Sequence, residues 1–190
     1  MLRLLAVEEI QQIQSHLAVL TDLYEERSLS FADESKQWII KLEDAFRNNK
    51  LPQVADLSSY RTLMISYERG FLPNQAVSGR YNSKRKQLAA AIVTILTSVN
   101  SLVSETLKPF MAQLGEVERI MSQVLSVASA KGLLAGSPTG THTQNMIHYW
   151  SRISEDNDLM PLCIHMSGLI HPQDILIVLD RTITGLGYKG

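Results

Sequence analysis

Cys163 and His165 lie close together, with His171 just downstream and His148 upstream. All four are residue types that ligate zinc. Zinc sites assemble such ligands in repeated pairs of fixed spacing, and only one pair is present here, so no metal site is expected. Cys163 sits in an apolar run, Leu162-Cys163-Ile164, without a basic neighbour to lower its thiol pKa. That context fits a small core residue on a helix face better than a nucleophile. Glu34 and Lys36 have the acid–lysine spacing of some nucleases, but they fall on an expected helix, where such sites use a strand. The segment Gly136 to Thr141 superficially resembles a phosphate loop, yet lacks both the lysine and a preceding strand. No enzyme activity, cofactor or small-molecule substrate is expected from these residues.

The strongest binding candidate is the basic cluster Arg80, Lys84, Arg85 and Lys86. It lies at the expected start of a long helix, where cations oppose the helix dipole at about 0.3–1 kcal/mol each when exposed. An anionic partner would offset that cost, and free N–H groups at a helix start suit phosphate. Nucleic acid or an acidic protein surface is therefore a secondary partner class. Only Tyr81 provides an aromatic neighbour, which is little for single-strand binding.

Positioning these residues falls to helices. From Leu88 to Ala128 an apolar seam steps by three and four residues: Leu88, Ile92, Ile95, Val99, Leu102 and Thr106, then Phe110, Leu114, Val117, Met121, Val124 and Ala128. This is coiled-coil-like spacing. Pro109 interrupts it, removing a backbone donor and crowding the preceding turn, so a kinked helix pair over 84–131 is expected. If straight, that arm would reach about 75 Å at 1.5 Å per residue. Leu88, Ile92, Ile95, Val99, Leu102, Leu114, Val117 and Met121 are the candidate partner interface, for a second protein or another copy of the chain.

Leu88 to Ser104 carries no charged residue and follows the basic cluster, as a membrane span would. Its polar residues Thr94, Thr97, Ser98, Asn100, Ser101 and Ser104 mostly avoid the seam, which makes the segment two-faced. A buried central helix is the preferred reading, and membrane association is not expected.

Upstream, a first helix is expected from about Leu4 to Arg27, with Ala6, Ile10, Ile13, Leu17, Leu20 and Tyr24 on one face. A second covers about Ala32 to Arg47, burying Trp38, Ile39, Leu42, Ala45 and Phe46. Ser30 or Asp33 would cap it, and Asn48-Asn49 would stop it. A third opens at Pro52 and carries Leu57, Tyr60, Met64 and Tyr67 on its seam. Gly70 and Pro73 end it. The two tyrosines read as core, or as interface anchors if that face were open.

Downstream, 132–145 is rich in glycine, serine and threonine and reads as a linker. Residues 146–186 form a small helical cap. Its segments carry Met146, Tyr149, Trp150 and Ile153, then Leu159, Leu162, Cys163 and Met166. A last helix opened by Pro172 and Asp174 carries Leu176, Leu179 and Ile183. The run Ile175 to Leu179 could alternatively be a buried strand, but its flanks carry helix punctuation.

The 190 residues are 45% hydrophobic and only 6% aromatic, with a formal net charge of −1. That composition argues against disorder and gives no general attraction to nucleic acid or anionic membrane. Residues 73–135 are nevertheless locally basic between two mildly acidic flanks. A single cysteine cannot form an internal disulfide, which points to a reducing, cytoplasmic setting. The short apolar start meets Glu8 and Glu9 too soon for a signal peptide. The expectation is an all-α helical bundle, 1–131, with a linker and a C-terminal cap. It would act as a non-enzymatic accessory subunit of a larger assembly.

Overall fold

A computed structural model describes residues 3–71, 84–135 and 140–185 of the chain. Among them every regular element is helical: α1 Leu4–Ser15, α2 Leu17–Glu25, α3 Phe31–Asn48, α4 Val54–Glu68, α5 Lys84–Ala130, α6 His142–Glu155, α7 Met160–Leu169 and α8 Pro172–Gly185. The chain divides into two compact units, Leu2–Leu107 and Lys108–Gly190, and α5 contributes to both. This division falls beside Pro109, whereas the glycine-rich segment expected to separate domains lies within the second unit.

The first unit is built around α3, which packs against α1, α2 and α4. Its amphipathic spacing places Phe31, Trp38, Ile39, Leu42, Ala45 and Phe46 in the core, the expected stripe with one residue added. The Trp38 indole N–H donates to the Ile13 carbonyl at 2.6 Å, tying α3 to α1. The expected first helix is broken into α1 and α2 at His16. Leu4, Ala6, Val7, Ile10 and Leu20 are buried, while Tyr24 is exposed and tilts against Phe31 with ring centroids 5.5 Å apart.

Helix ends in this protein share one device. After α2, α3, α4 and α5, one residue adopts a left-handed conformation: Arg27, Lys50, Gly70 and Gly132. Each N–H of that residue bonds three residues back, and the next N–H bonds five residues back, for example Gly70 to Tyr67 and Phe71 to Ser66. These are Schellman closures, which satisfy carbonyls that the helix leaves without donors. Asn48-Asn49 does mark the end of α3, but Lys50 rather than an asparagine takes the left-handed position. Ser30 precedes α3 without a side-chain capping bond; its hydroxyl faces that of Ser28 at 2.9 Å. Pro52 lies in the turn before α4, which begins at Val54.

In the second unit, α6 packs against α7 and α8, which also meet each other. Thr141 and Gln144 form a reciprocal capping box at the start of α6. Met146, Tyr149 and Ile153 are buried, with Trp150 half-buried. Leu159, Cys163, Met166 and Ile170 supply the apolar face around α7. In α8 the buried stripe is Ile175, Val178 and Leu179; Leu179 is buried as expected, while the expected Leu176 and Ile183 are half-buried.

Candidate interaction surfaces

Helix α5 passes through Pro109 as one element of 47 residues, not as two. A proline in a helix interior costs about 3 kcal/mol and leaves the carbonyl four residues before it without its usual donor. Burial of Leu107 and Phe110 on either side offsets that cost. The buried stripe runs Ile92, Leu96, Val99, Val103, Leu107, Phe110, Leu114, Val117, Met121, Val124 and Ala128. Two successive steps of four, Val99 to Val103 to Leu107, insert one extra residue into the heptad rhythm just before the proline. The seam expected from the sequence passes through Leu102 and Thr106 instead, and leaves out Val103 and Leu107. A signal for the correct phase exists, because Leu107 offers a larger, wholly apolar side chain beside Thr106, which carries a hydroxyl.

The seam expected at a partner interface is thus the chain's own core. Ile92, Ile95, Val99, Leu114, Val117 and Met121 are buried, and Leu88 and Leu102 are half-buried. Side chains already covered by this chain cannot also line an outside surface.

The opposite side of the α5 N-terminal half is different. Ala90, Thr94, Thr97 and Ser101 follow one another at helical spacing; the last three are exposed and Ala90 is half-buried. The Thr94 and Thr97 hydroxyls donate to the carbonyls of Ala90 and Val93, so their polarity is turned back onto the helix. An 18-residue window of α5 has a mean hydropathy of 1.5 with only 33% of it buried. By length and composition α5 could cross a membrane. At one edge of this outward side, Gln14 of α1 donates to Asn100 Oδ1 and Ser104 Oγ, both at 2.8 Å.

The basic cluster lies at the start of the same helix. Arg80 falls outside the described residues. Lys84, Arg85 and Lys86 occupy the exposed first turn of α5. The Arg85 guanidinium donates to the carbonyl of Arg27, the left-handed residue closing α2. A cation at a helix C-terminus satisfies a free carbonyl and complements the dipole there. Arg85 therefore has a capping role that no spacing rule reveals, because its partner is far away in sequence.

Cys163 is 3% exposed, and burial, with a contribution from the Asp156 charge, pushes its thiol up to about 11. His165 instead reaches Glu116 of α5 at 2.9 Å, and His142 reaches Asp180 of α8 at 2.8 Å. The His171 ring nitrogen Nδ1 accepts from the Gln173 N–H. Among the described residues no group of three or more His, Cys, Asp or Glu is arranged to hold a metal ion. Lys36 contacts Glu68 of α4 at 2.8 Å and Asp33 at 3.4 Å; neither contact is with Glu34. The hydrogen bond to Glu68 is the main reason its pKa lies above the usual lysine value.

Two further charged clusters draw together residues distant in sequence, alongside the local i, i+4 pair Glu43–Arg47. Glu43, with its side chain 5% exposed, accepts from Arg47 at 2.5 Å, Ser58 at 2.7 Å and Arg61 at 2.8 Å. Burial pushes the Glu43 pKa up, but the Ser58 hydroxyl and the two guanidinium groups outweigh it and hold the carboxyl below its usual range. The group joins α3 to α4. In the second unit, Lys131 contacts Asp156 and Asp158, while Arg152 donates to the Ala135 carbonyl. These contacts fix the end of α5 to the α6–α7 region. Tyr60 and Tyr67 are both half-buried on α4.

Compared with family models, curated proteins and solved structures, the chain matches none.

Proposed function

We propose that this protein is a non-enzymatic interaction subunit that joins a larger protein assembly through the outward side of α5. The observation that carries the reading is the uncharged stretch Leu88–Ser104, whose inner side is core and whose exposed residues are all threonine or serine. Solvent-facing helix surfaces ordinarily carry charged residues. About five turns without one cost little to dehydrate against another protein. Depletion of charge is the compositional mark of an interface centre. The single, buried cysteine accords with work in a reducing cytoplasmic compartment.

The test is the native size of the tagged chain in an extract of its own host, compared with Thr97→Arg. The wild type is expected well above monomer size, and the variant at monomer size with unchanged helicity. A monomeric wild type, or a variant that assembles normally, would overturn the reading.

Nucleic-acid binding by Lys84, Lys86 and Arg80 is the second reading, favoured by the exposed first turn of α5. Such binding would weaken steeply with salt as phosphate counterions are released. Salt-independent retention on a nucleic-acid column would remove it.

A further inference from the structure

Four helix ends meet at one end of the first unit. The Arg85 guanidinium at the start of α5 donates to the Arg27 carbonyl just past α2. Tyr24, in the last turn of α2, tilts against Phe31, the first residue of α3, with ring centroids 5.5 Å apart. Lys36 of α3 holds Glu68, the last residue of α4, at 2.8 Å, and Phe71 follows three residues later. Three stretches distant in sequence thus bring Arg27, Arg69 and Lys84 to the same end, all exposed. No ion pair among the described residues engages these three side chains. Phe71 is 74% exposed and Tyr24 37%, so two aromatic rings stand at the end that carries the cations. In sequence the basic cluster has only Tyr81 beside it; the fold adds aromatics from α2 and from the end of α4.

We infer that this end of the first unit binds single-stranded nucleic acid, with Phe71 and Tyr24 stacking on bases and Arg27, Arg69 and Lys84 pairing with phosphates. The inference rests on the nucleic-acid reading of the first turn of α5 and names the class it takes. Cations and exposed aromatic faces together are what a single strand needs. The cations track the backbone, and the rings accept any base because every base has a π-face. A duplex keeps those faces inside its own stack and would gain only the phosphate contacts. An anionic membrane is the competing occupant, because Leu29 at this end is also exposed. Glu25 and Glu26, exposed just before Arg27, count against it. A flat anionic surface would meet these acids together with the cations, whereas a strand can follow the cations alone.

The experiment measures the fluorescence anisotropy of a labelled oligothymidylate of about 12 nucleotides titrated with the purified full-length chain, beside a duplex of the same length. The expected result is tighter binding of the single strand. Phe71→Ala should weaken that binding at least about fivefold with unchanged circular dichroism, and Phe71→Trp should retain it. Arg69→Gln and Lys84→Gln should each flatten the log–log salt slope by about 0.7. The double change Glu25→Gln and Glu26→Gln should tighten binding. A duplex held as tightly as the single strand, with Phe71→Ala binding as the wild type does, would overturn the stacking site and leave the nucleic-acid reading intact. No binding of either probe at low salt would overturn both. Phosphatidylserine vesicles that take up the chain while the oligonucleotide does not would replace the nucleic acid with lipid.

Discussion

The two units solve the same problem with different chemistry. In Leu2–Leu107, two polar contacts between helices are drawn inside, while Lys36–Glu68 stays at the surface: the Glu43 carboxylate is buried among Arg47, Ser58 and Arg61, and the Trp38 indole bonds to Ile13. In Lys108–Gly190, the comparable contacts stay at the surface: His165 with Glu116, His142 with Asp180, and Lys131 with Asp156 and Asp158. A buried carboxylate that loses its partners keeps its desolvation cost, whereas exposed pairs regain water when separated. Substitution at Glu43 should therefore cost the first unit more than substitution at any of these three surface pairs costs the second, whose own buried carboxylate is Asp174 at the start of α8.

The largest expected effect is Trp38→Ala, which removes a nearly fully buried side chain and its hydrogen bond. It should cost about 3–5 kcal/mol, measured by denaturant unfolding, with hydrogen exchange rising across 3–71 first. Glu43→Ala comes next, at about 2–3 kcal/mol. By contrast His165→Ala should cost under about 1 kcal/mol. Equal losses from these two would break the contrast between the units.

Acid titration sharpens it. The folded Glu43 pKa lies below its ordinary 4.5, so its stabilisation is present above that pH and is lost as pH falls through the folded value. Glu43→Gln should flatten the acid limb of the stability curve. Asp156 is also held below its ordinary value, chiefly by the hydrogen bond from Lys131, and contributes in the same direction from the second unit. At the alkaline end Cys163 acts oppositely: its thiol is kept neutral up to about 11 against 9.0 unfolded, so its contribution is lost as pH rises between them. At about pH 8, below the ordinary thiol range, the native protein should react with a thiol reagent only as fast as it opens. Rapid labelling without denaturant would contradict the buried thiol.

The smallest effects concern helix ends. Lys50 occupies a left-handed conformation at φ 55° that strains a side-chain-bearing residue by about 1 kcal/mol, so Lys50→Gly should stabilise by up to that amount. Gly70→Ala should destabilise comparably for conformational reasons alone, because no atom lies within 4 Å of the position its Cβ would take. Thermal unfolding compares the two directly.

What the sequence made legible was periodic. The α3 stripe from Trp38 to Phe46, the closure at Gly70 and the helical identity of Ile175–Leu179 all follow from spacing and end residues. The Thr141–Gln144 capping box has an equally local signature, which apolar periodicity does not register. Within the Glu43 cluster the Arg47 pair is a local i, i+4 spacing; the contacts of Glu43 with Ser58 and Arg61, the Arg85 cap on α2 and the His165–Glu116 pair join residues distant in sequence, and no local pattern encodes them. The α5 seam was legible as an apolar stripe but not as core. Periodicity shows that one side of a helix must be covered and is silent on whether the same chain covers it. The informative side of α5 was the other one, where charge is missing among polar residues.

The most direct test of that division is a pair of substitutions two residues apart, Val99→Asp and Ser101→Asp, followed by circular dichroism of each purified variant and sedimentation of each in an extract of its own host. Val99 is fully buried and Ser101 is exposed. Val99→Asp is expected to lose cooperative folding, while Ser101→Asp keeps wild-type helicity and melting but sediments as a monomer. A folded Ser101→Asp protein that associates as the wild type does would contradict the assignment of the two sides.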